Sequence, residues 1–549
     1  VRLFYQKCIY LSIYPPPTQL LRVSISGGGA RRRPLPARPK MPAGCAYSTK
    51  VSLPTTLSPT LSSTDACCTT LHRRMLSEPL MGEAEDDNYK WLRLFATVTA
   101  VALGSSLQFG FATGSLNNLE QIVPADLAAA GNPIVTWQWA LINSMFSVGG
   151  LIGSYGVVVP LAYFGRKNTL LLANFFVVLS SVLMYLGTVW WVLVLGRISI
   201  GVVAGVAQMV AGSYMTEISP IGVRGSVGVC SQVGIVLGIS LASYLTAPSF
   251  AVFGTIDRWR YTFLVPCLFS LFQICVLPFC PESPAFLIKA QGEEATWTTL
   301  KKLHRELSAA NHMNALRSEL KEGGGVSGKD DMSISDLLRA KNLRKQVMVG
   351  IVIKIGVQFS GIDAIFYYST LMFRHANVAD PQLSTFLLSL VNVAMTFIAL
   401  TIMDKAGRRP LLMCTWVGMC SGFFTIYLTS TLGDVFGFFP TLMSNAQVVA
   451  MVLTIVSFAV GVGNVEGFII SEIMPVYAKD TLASIGQPLN WIANLMVSTA
   501  FPLVFGALGR NTYLIFVALT AFFGWFTFTR VPETKGKTYE QVAKEFARY

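Results

Sequence analysis

Val357-Gln358-Phe359-Ser360-Gly361-Ile362-Asp363-Ala364-Ile365-Phe366-Tyr367-Tyr368-Ser369 lies inside an apolar segment running from about Val347 to Phe373. A helix of that length crosses the ~30 Å hydrocarbon core of a bilayer. This one carries a glutamine, a carboxylate and a tyrosine pair where lipid favours leucine. Polar groups at bilayer depth are costly and face a bundle interior or a water-filled cavity. Gly361 beside Ser360 is a natural place for the helix to unwind, since irregular backbone is tolerated where it lines a cavity. Two readings compete: a broken helix that contacts a ligand, and ordinary polar glue between helices.

The rest of the chain has the composition of a membrane protein. Its mean hydropathy is +0.53 and only 13% of its 549 residues are charged, about half of what soluble domains carry. Ten cysteines without CxxC or regular spacing form no disulfide framework, and the four histidines stand apart from any metal-binding pattern. No cofactor is implied. The net charge of +13 would suit nucleic acid, but its distribution argues against that partner. Of 42 Lys and Arg, 13 lie in residues 1–93 and 23 in one alternating set of loops with the C-terminal tail. Only 4 (Arg258, Arg260, Arg374, Arg510) lie in the opposite set, while Arg197 and Lys354 fall within helices. That asymmetry follows the positive-inside rule and places both termini in the cytosol, which requires an even number of spans.

Residues 1–90 form a basic tail, rich in Pro, Ser and Thr and without an acid before Asp65, which is expected to be disordered. Twelve apolar segments follow, at 91–113, 137–162, 168–187, 190–215, 225–247, 260–280, 346–373, 382–403, 410–431, 445–470, 481–506 and 511–530. Six belong to an N-terminal half, 91–280, and six to a C-terminal half, 346–530. Between them runs a polar cytosolic linker, 281–345, with short amphipathic helices expected near 293–308 and 333–341; a tail at 531–549 ends the chain. The halves repeat. Gly165-Arg166-Lys167 recurs as Gly407-Arg408-Arg409, Thr216-Glu217-Ile218-Ser219-Pro220 as Ser471-Glu472-Ile473-Met474-Pro475, and Pro281-Glu282-Ser283 as Pro532-Glu533-Thr534. The offsets are 242, 255 and 251 residues, all on the cytosolic side. The fold class is therefore an all-α membrane protein of two parallel six-helix halves, the arrangement of major facilitator transporters.

These residues resemble the sugar-porter branch of the major facilitator superfamily, and within it the animal facilitative glucose-transporter family. The matching text runs over about 91–545 and includes Gly104-Ser105-Ser106-Leu107-Gln108-Phe109-Gly110, Gly196-Arg197, Arg224-Gly225, Gln232-Val233-Gly234-Ile235 and Pro281-Glu282-Ser283-Pro284. Gln358-Phe359-Ser360-Gly361-Ile362, Asp404-Lys405-Ala406-Gly407-Arg408-Arg409, Asn490-Trp491 and Val531-Pro532-Glu533-Thr534 complete it. A hexose site needs fixed amides or hydroxyls, which donate and accept together, and an aromatic or aliphatic wall. The resemblance assigns those contacts to Gln232, Ile235, Gln358, Asp363, Asn392, Asn490 and Trp491, with Phe366 and Tyr367 closing the extracellular side. It also assigns a cytosolic latch to Arg166, Glu217, Arg224, Asp404, Arg408, Arg409, Glu472 and Lys479, whose opposite charges are expected to pair across the seam between the halves when the cytosolic mouth is closed and to separate when it opens.

The chain departs from that family at several positions. Val357 replaces the first of two adjacent glutamines, Asp363 an asparagine, Gly467 a tryptophan, Ala459 a frequent glutamate and Ala112 an Asn or Asp; Ala285 replaces an arginine, and no Asn-x-Ser/Thr sequence occurs. These losses predict a wider pocket with fewer donors. Asp363 could accept from two hydroxyls, bind a cation, carry a coupling proton, or pair with an unidentified partner. Lys354, about 180° around the helix and ~13 Å along it, is expected to snorkel toward the cytosol instead of meeting Asp363. The resemblance implies a carrier of a hexose or related monosaccharide, working by facilitated diffusion; the sequence offers no nucleophile–base pair or phosphate loop for an enzyme. A proton-coupled sugar or polyol symporter and a non-transporting sugar sensor are the alternatives. The family's usual location is the plasma membrane.

Overall fold

The computed structural model describes residues 81–220, 223–322, 333–403, 406–436, 440–537 and 539–548. Contacts separate Val1–Asp87 from Asn88–Tyr549, and apart from the start of the first helix everything below lies in the second unit. The first helix, α1, runs Met81–Val101, so the end of the tail is helical, not irregular. A π-turn at Ala102–Ser106 leads into α2 (Leu107–Gly114), followed by α3 (Ile122–Ala129). Then come α4 (Thr136–Gly156), α5 (Val158–Leu186), α6 (Trp190–Glu217), α7 (Arg224–Thr246) and α8 (Val265–Val276).

Four helices, α9 (Pro284–Ala290), α10 (Glu293–Leu303), α11 (Glu306–Glu322) and α12 (Ile334–Arg339), fill the linker. Two of these lie where amphipathic helices are expected, and α9 and most of α11 are additional. The first three share a small core of Ile288, Leu300, Ala309, Met313 and Leu316, while Leu337 of α12 joins the main core. The second half comprises α13 (Arg344–Phe359), α14 (Ile362–His375), α15 (Pro381–Met403), α16 (Arg408–Phe436), α17 (Pro440–Val460), α18 (Val462–Ile473), α19 (Val476–Leu508) and α20 (Thr512–Arg530), and α21 (Tyr539–Arg548) follows. Every described element is helical.

Among the described residues, ten stretches are long and apolar enough to cross a membrane. One of them, Tyr477–Arg530, turns back near Gly509 (φ +55) and supplies two crossings, α19 and α20. The remaining crossing is α4, whose Ser, Gly and Asn residues dilute its apolarity. The bundle therefore has twelve spans. Small residues bring its helices close, as their distribution predicts: a Cβ on Gly149 of α4 would stand 2.1 Å from Ile198 O of α6. The halves meet along α4 with α19 and along α7 with α15.

Two spans of the second half are broken at mid-depth. Gly361 (φ +88) separates α13 from α14, in the left-handed region that glycine enters at no steric cost. Gly461 separates α17 from α18, and Thr415 Oγ1 accepts from the Val462 N–H freed there at 2.9 Å. Both breaks were placed by the same physics: freed backbone groups persist at that depth only where protein satisfies them.

Candidate functional site

The broken helix α13–α14 faces α19 through a ladder of side-chain pairs. Lys354 donates to Gln487 Oε1 (3.3 Å), Gln358 Nε2 donates to Asn490 Oδ1 (2.9 Å), and Asn494 Nδ2 donates to Asp363 Oδ2 (2.5 Å) and Gln358 Oε1 (3.3 Å). Tyr367 OH donates to Asn494 Oδ1 (3.4 Å) and Tyr368 OH to Ser498 O (2.8 Å). Positions 487, 490, 494 and 498 recur at the helical spacing that aligns one face. Of the expected residues, Gln358, Asp363 and Asn490 are thus brought together, with Asn494 at the centre.

Ser147 of α4 also donates to Asn494, which ties the first half to the ladder. Gln232 and Ile235 are half-buried on α7, and buried Asn392 lies on α15; all three are outside this hydrogen-bonded network among the described residues. The first half therefore bridges through Ser147, not Gln232. Trp491 is buried between Phe109 (centroids 5.9 Å) and Phe146 (5.7 Å), over a bed that only Gly150 allows: a Cβ there would lie 2.5 Å from the indole. Phe366 is half-buried edge-on to Phe458, at 6.3 Å.

One expectation for the inner end of the site is corrected. Lys354 does not snorkel; it is buried and forms an ion pair with Glu466 of α18 as well as its bond to Gln487. Its stem passes Gly486, whose absent Cβ would stand 3.2 Å from Lys354 Cγ, so the chain makes room for the lysine. Lys354, Glu466 and Gln487 place a charged and polar group of side chains at this end of the ladder. The space vacated at Gly467 does persist, with no atom within 4 Å of a Cβ built on it.

The three repeated motifs of each half converge on one node. In the first, Arg166 pairs with Glu217 (3.0 Å), Ser283 Oγ donates to Glu217, and Glu282 accepts from the backbone N–H of Arg166 (2.9 Å) and Lys167 (3.1 Å). In the second, Arg408 pairs with Glu472 (2.9 Å), Thr534 donates to Glu472 (2.5 Å), and Glu533 accepts from the N–H of Arg408 (2.8 Å) and Arg409 (3.1 Å). Burial pushes the Glu282 carboxyl above its ordinary range, and the backbone donors oppose this. Among the pairs seen here, Arg166 with Glu217 and Arg408 with Glu472 each lie within one half. The reason is geometric: the glycine, the glutamate and the Pro-Glu-Ser/Thr of one half end neighbouring spans of that half. Arg224 instead reaches His312 of α11 (2.5 Å), and Lys479 lies in the first turn of α19. Asp404 lies outside the described residues.

At the opposite end the halves do join, through residues that the motifs did not single out. Asn117 Nδ2 donates to Phe366 O (2.9 Å) and Ser369 Oγ (2.8 Å), while Asn117 Oδ1 accepts from Thr370 N–H (3.1 Å). Thr370 Oγ1 donates to Asn118 Oδ1 (2.8 Å), and Arg374 pairs with Glu120 (2.5 Å). Burial raises the Glu120 carboxyl above its ordinary range, and Arg374 lowers it. A short run after the first span thus clamps α14 and closes this end. The only sequence signal was an Asn-Asn-x-Glu cluster in a loop.

Twelve spans in two repeated halves, joined by hydrogen bonds at one end and holding an amide cluster at the break of α13–α14, define an integral membrane carrier. The family model described as "Sugar (and other) transporter" matches residues 97–546. The facilitated glucose transporter member 3 of Mus musculus is 33% identical over 82% of this chain and 92% of its own length. Member 1 of Gallus gallus is 32% identical over 83% and 93%. A partially occluded inward open structure of the xylose transporter XylE from E. coli superposes with a TM-score of 0.68 at 24% identity, over 81% of this chain and 99% of that one. The chain belongs to this sugar-transporter family, a family of major facilitator carriers and not of enzymes.

Proposed function

We propose that the protein carries a hexose or a related monosaccharide across the membrane by alternating access, down the sugar's gradient. The observation that carries this reading is the amide cluster of Gln358, Asn490 and Asn494 beside the Trp491 ring, at the break in α13–α14. Amides donate and accept at fixed positions, as a ring of hydroxyls requires, and the indole supplies an apolar wall. In this reading residues 91–280 and 346–530 are the two halves that rock, and Gln232, Ile235, Asn392 and Phe366 meet the sugar when the cavity changes shape. The end bearing the motif nodes, the linker and both termini is cytosolic, following the Lys and Arg bias, and the membrane is the plasma membrane, as the family's habit suggests. The structure is then the form closed to the outside.

Uncoupled transport is favoured by the surroundings of Arg197. This buried guanidinium donates to the carbonyl oxygens of Ala112 (2.6 Å) and Asn143 (3.5 Å) and stands over the Phe146 ring at 4.8 Å. Where proton-coupled relatives place an acid in the first span, this chain offers a backbone oxygen and an aromatic face. Uptake of radiolabelled glucose, fructose, galactose, inositol and urate in a transport-null host tests the reading. Saturable uptake of a hexose, unchanged by external pH, supports it; binding without flux would favour a sensor.

A further inference from the structure

The inner end of the ladder has polar groups that the amide cluster does not use. Gln487 is 5% exposed, yet among the described residues its Nε2 has no hydrogen-bond partner; four residues on, the buried Trp491 Nε1 has none there either. Leaving a buried donor without a partner costs stability. Two of them on one face of α19, one turn apart and flanking Asn490, are unexplained by packing. The Lys354 ammonium fixes how Gln487 lies: a cation that can only donate takes the amide oxygen and turns the amide NH2 away. Glu466 gives Oε1 to the same ammonium, keeps its second oxygen for another donor, and sits beside the open space at Gly467. Buried ion pairs seldom stabilise a fold more than apolar residues of the same size, so stability alone does not account for Lys354 and Glu466.

We propose that Gln487, Glu466 and Trp491 form a hydroxyl-binding subsite for a neutral polyhydroxyl ligand, one helical turn from the Gln358–Asn490 pair, with Lys354 as its positioning residue. Trp491 Nε1 and Gln487 Nε2 donate to ligand oxygens, and the second oxygen of Glu466 accepts from a ligand hydroxyl. A hydroxyl suits the site because it accepts from an N–H and donates to a carboxylate at once. The subsite rests on the carrier reading above and adds to it the residues that discriminate between sugars.

The test is competition for hexose uptake by the parent sugar and its set of monodeoxy analogues, measured in the wild type, Gln487→Leu and Glu466→Gln. In the wild type at least one analogue should compete about tenfold more weakly than the parent, the worth of one such hydrogen bond. In Gln487→Leu or Glu466→Gln that ratio should collapse toward one, while the ratios of the other analogues persist. The double variant Lys354→Met/Glu466→Met, which removes the ion pair whole, should collapse the same ratio and guards against a single variant that fails to fold. Identical ratios for every analogue in the wild type and in a transporting variant would overturn the subsite. If the wild type takes up no hexose, the carrier reading falls and the subsite with it.

Discussion

The Asn494 amide donates to Asp363 Oδ2 at 2.5 Å, so the carboxylate in the broken span is met by a neutral partner on α19. Asn494 also receives Ser147 from the other half, and one side chain therefore links the anomalous acid, the amide cluster and the seam. Asn494→Leu should leave Asp363 buried without its donor, a loss of about 1–3 kcal/mol. Uptake kcat/KM is expected to fall by about tenfold or more. Asp363→Asn keeps a polar group of the same shape and should be milder, with an unaltered pH profile of uptake. A pH profile that flattens in Asp363→Asn would instead assign the carboxylate to proton coupling.

The two motif nodes predict matched behaviour. Arg166 with Glu217 and Arg408 with Glu472 are partly buried, charge-assisted pairs of the same geometry. Double-mutant cycles on thermal unfolding of the purified protein should give a coupling of about 1 kcal/mol in each half. Coupling between Arg166 and Glu472, across the seam, should be absent in the form described here. A large cross-seam term would show that another arrangement dominates in solution.

Loosening the clamp at the opposite end should open it. Asn117→Ala removes three hydrogen bonds to α14, and Arg374→Ala leaves Glu120 without its cation. Cysteine modification from the outside, read at a single introduced cysteine in the outer mouth, should quicken several-fold in either variant. Unchanged labelling would mean that closure does not depend on these contacts.

The linker helices carry a pH dependence of defined sign. His312 accepts from Arg224, which can only donate, and the two rings His312 and His304 stand 3.2 Å apart nitrogen to nitrogen. Burial first, and then Arg224, push His304 down to about 4 and His312 down to about 3. Both are bases held neutral in the folded state, so the unfolded state binds more protons below the ordinary value of 6.5. Stability from this cluster is present above that value and is lost as the pH falls from there toward 4. Thermal unfolding followed across that range should show a falling midpoint in the wild type and a shallower fall in His312→Phe.

Much of this architecture is legible in the residues themselves. Twelve apolar runs, three repeated motifs and Gly361 in a polar span are enough to give the fold, its symmetry and its break. Gln358 and Asn490 are legible as partners in kind, because both are amides at bilayer depth. What the sequence hides is which side chain meets which across distance. Asn494 looks like one more polar residue in a long apolar helix until Asp363, 131 residues away, is seen to need a donor. Lys354 reads as a snorkelling lysine because Glu466, 112 residues on, reads only as a lost signature. Charges on one face of the membrane invite pairing across the seam, and only packing shows that each motif glutamate is already engaged within its own half.

The most direct test of the account is uptake of labelled hexoses into a transport-null host by the wild type and by Gln358→Leu, which removes the amide that joins Asn490 and Asn494. The account predicts saturable, pH-independent hexose uptake by the wild type and its near-complete loss in the variant at equal surface expression. Undiminished hexose uptake by Gln358→Leu would contradict it.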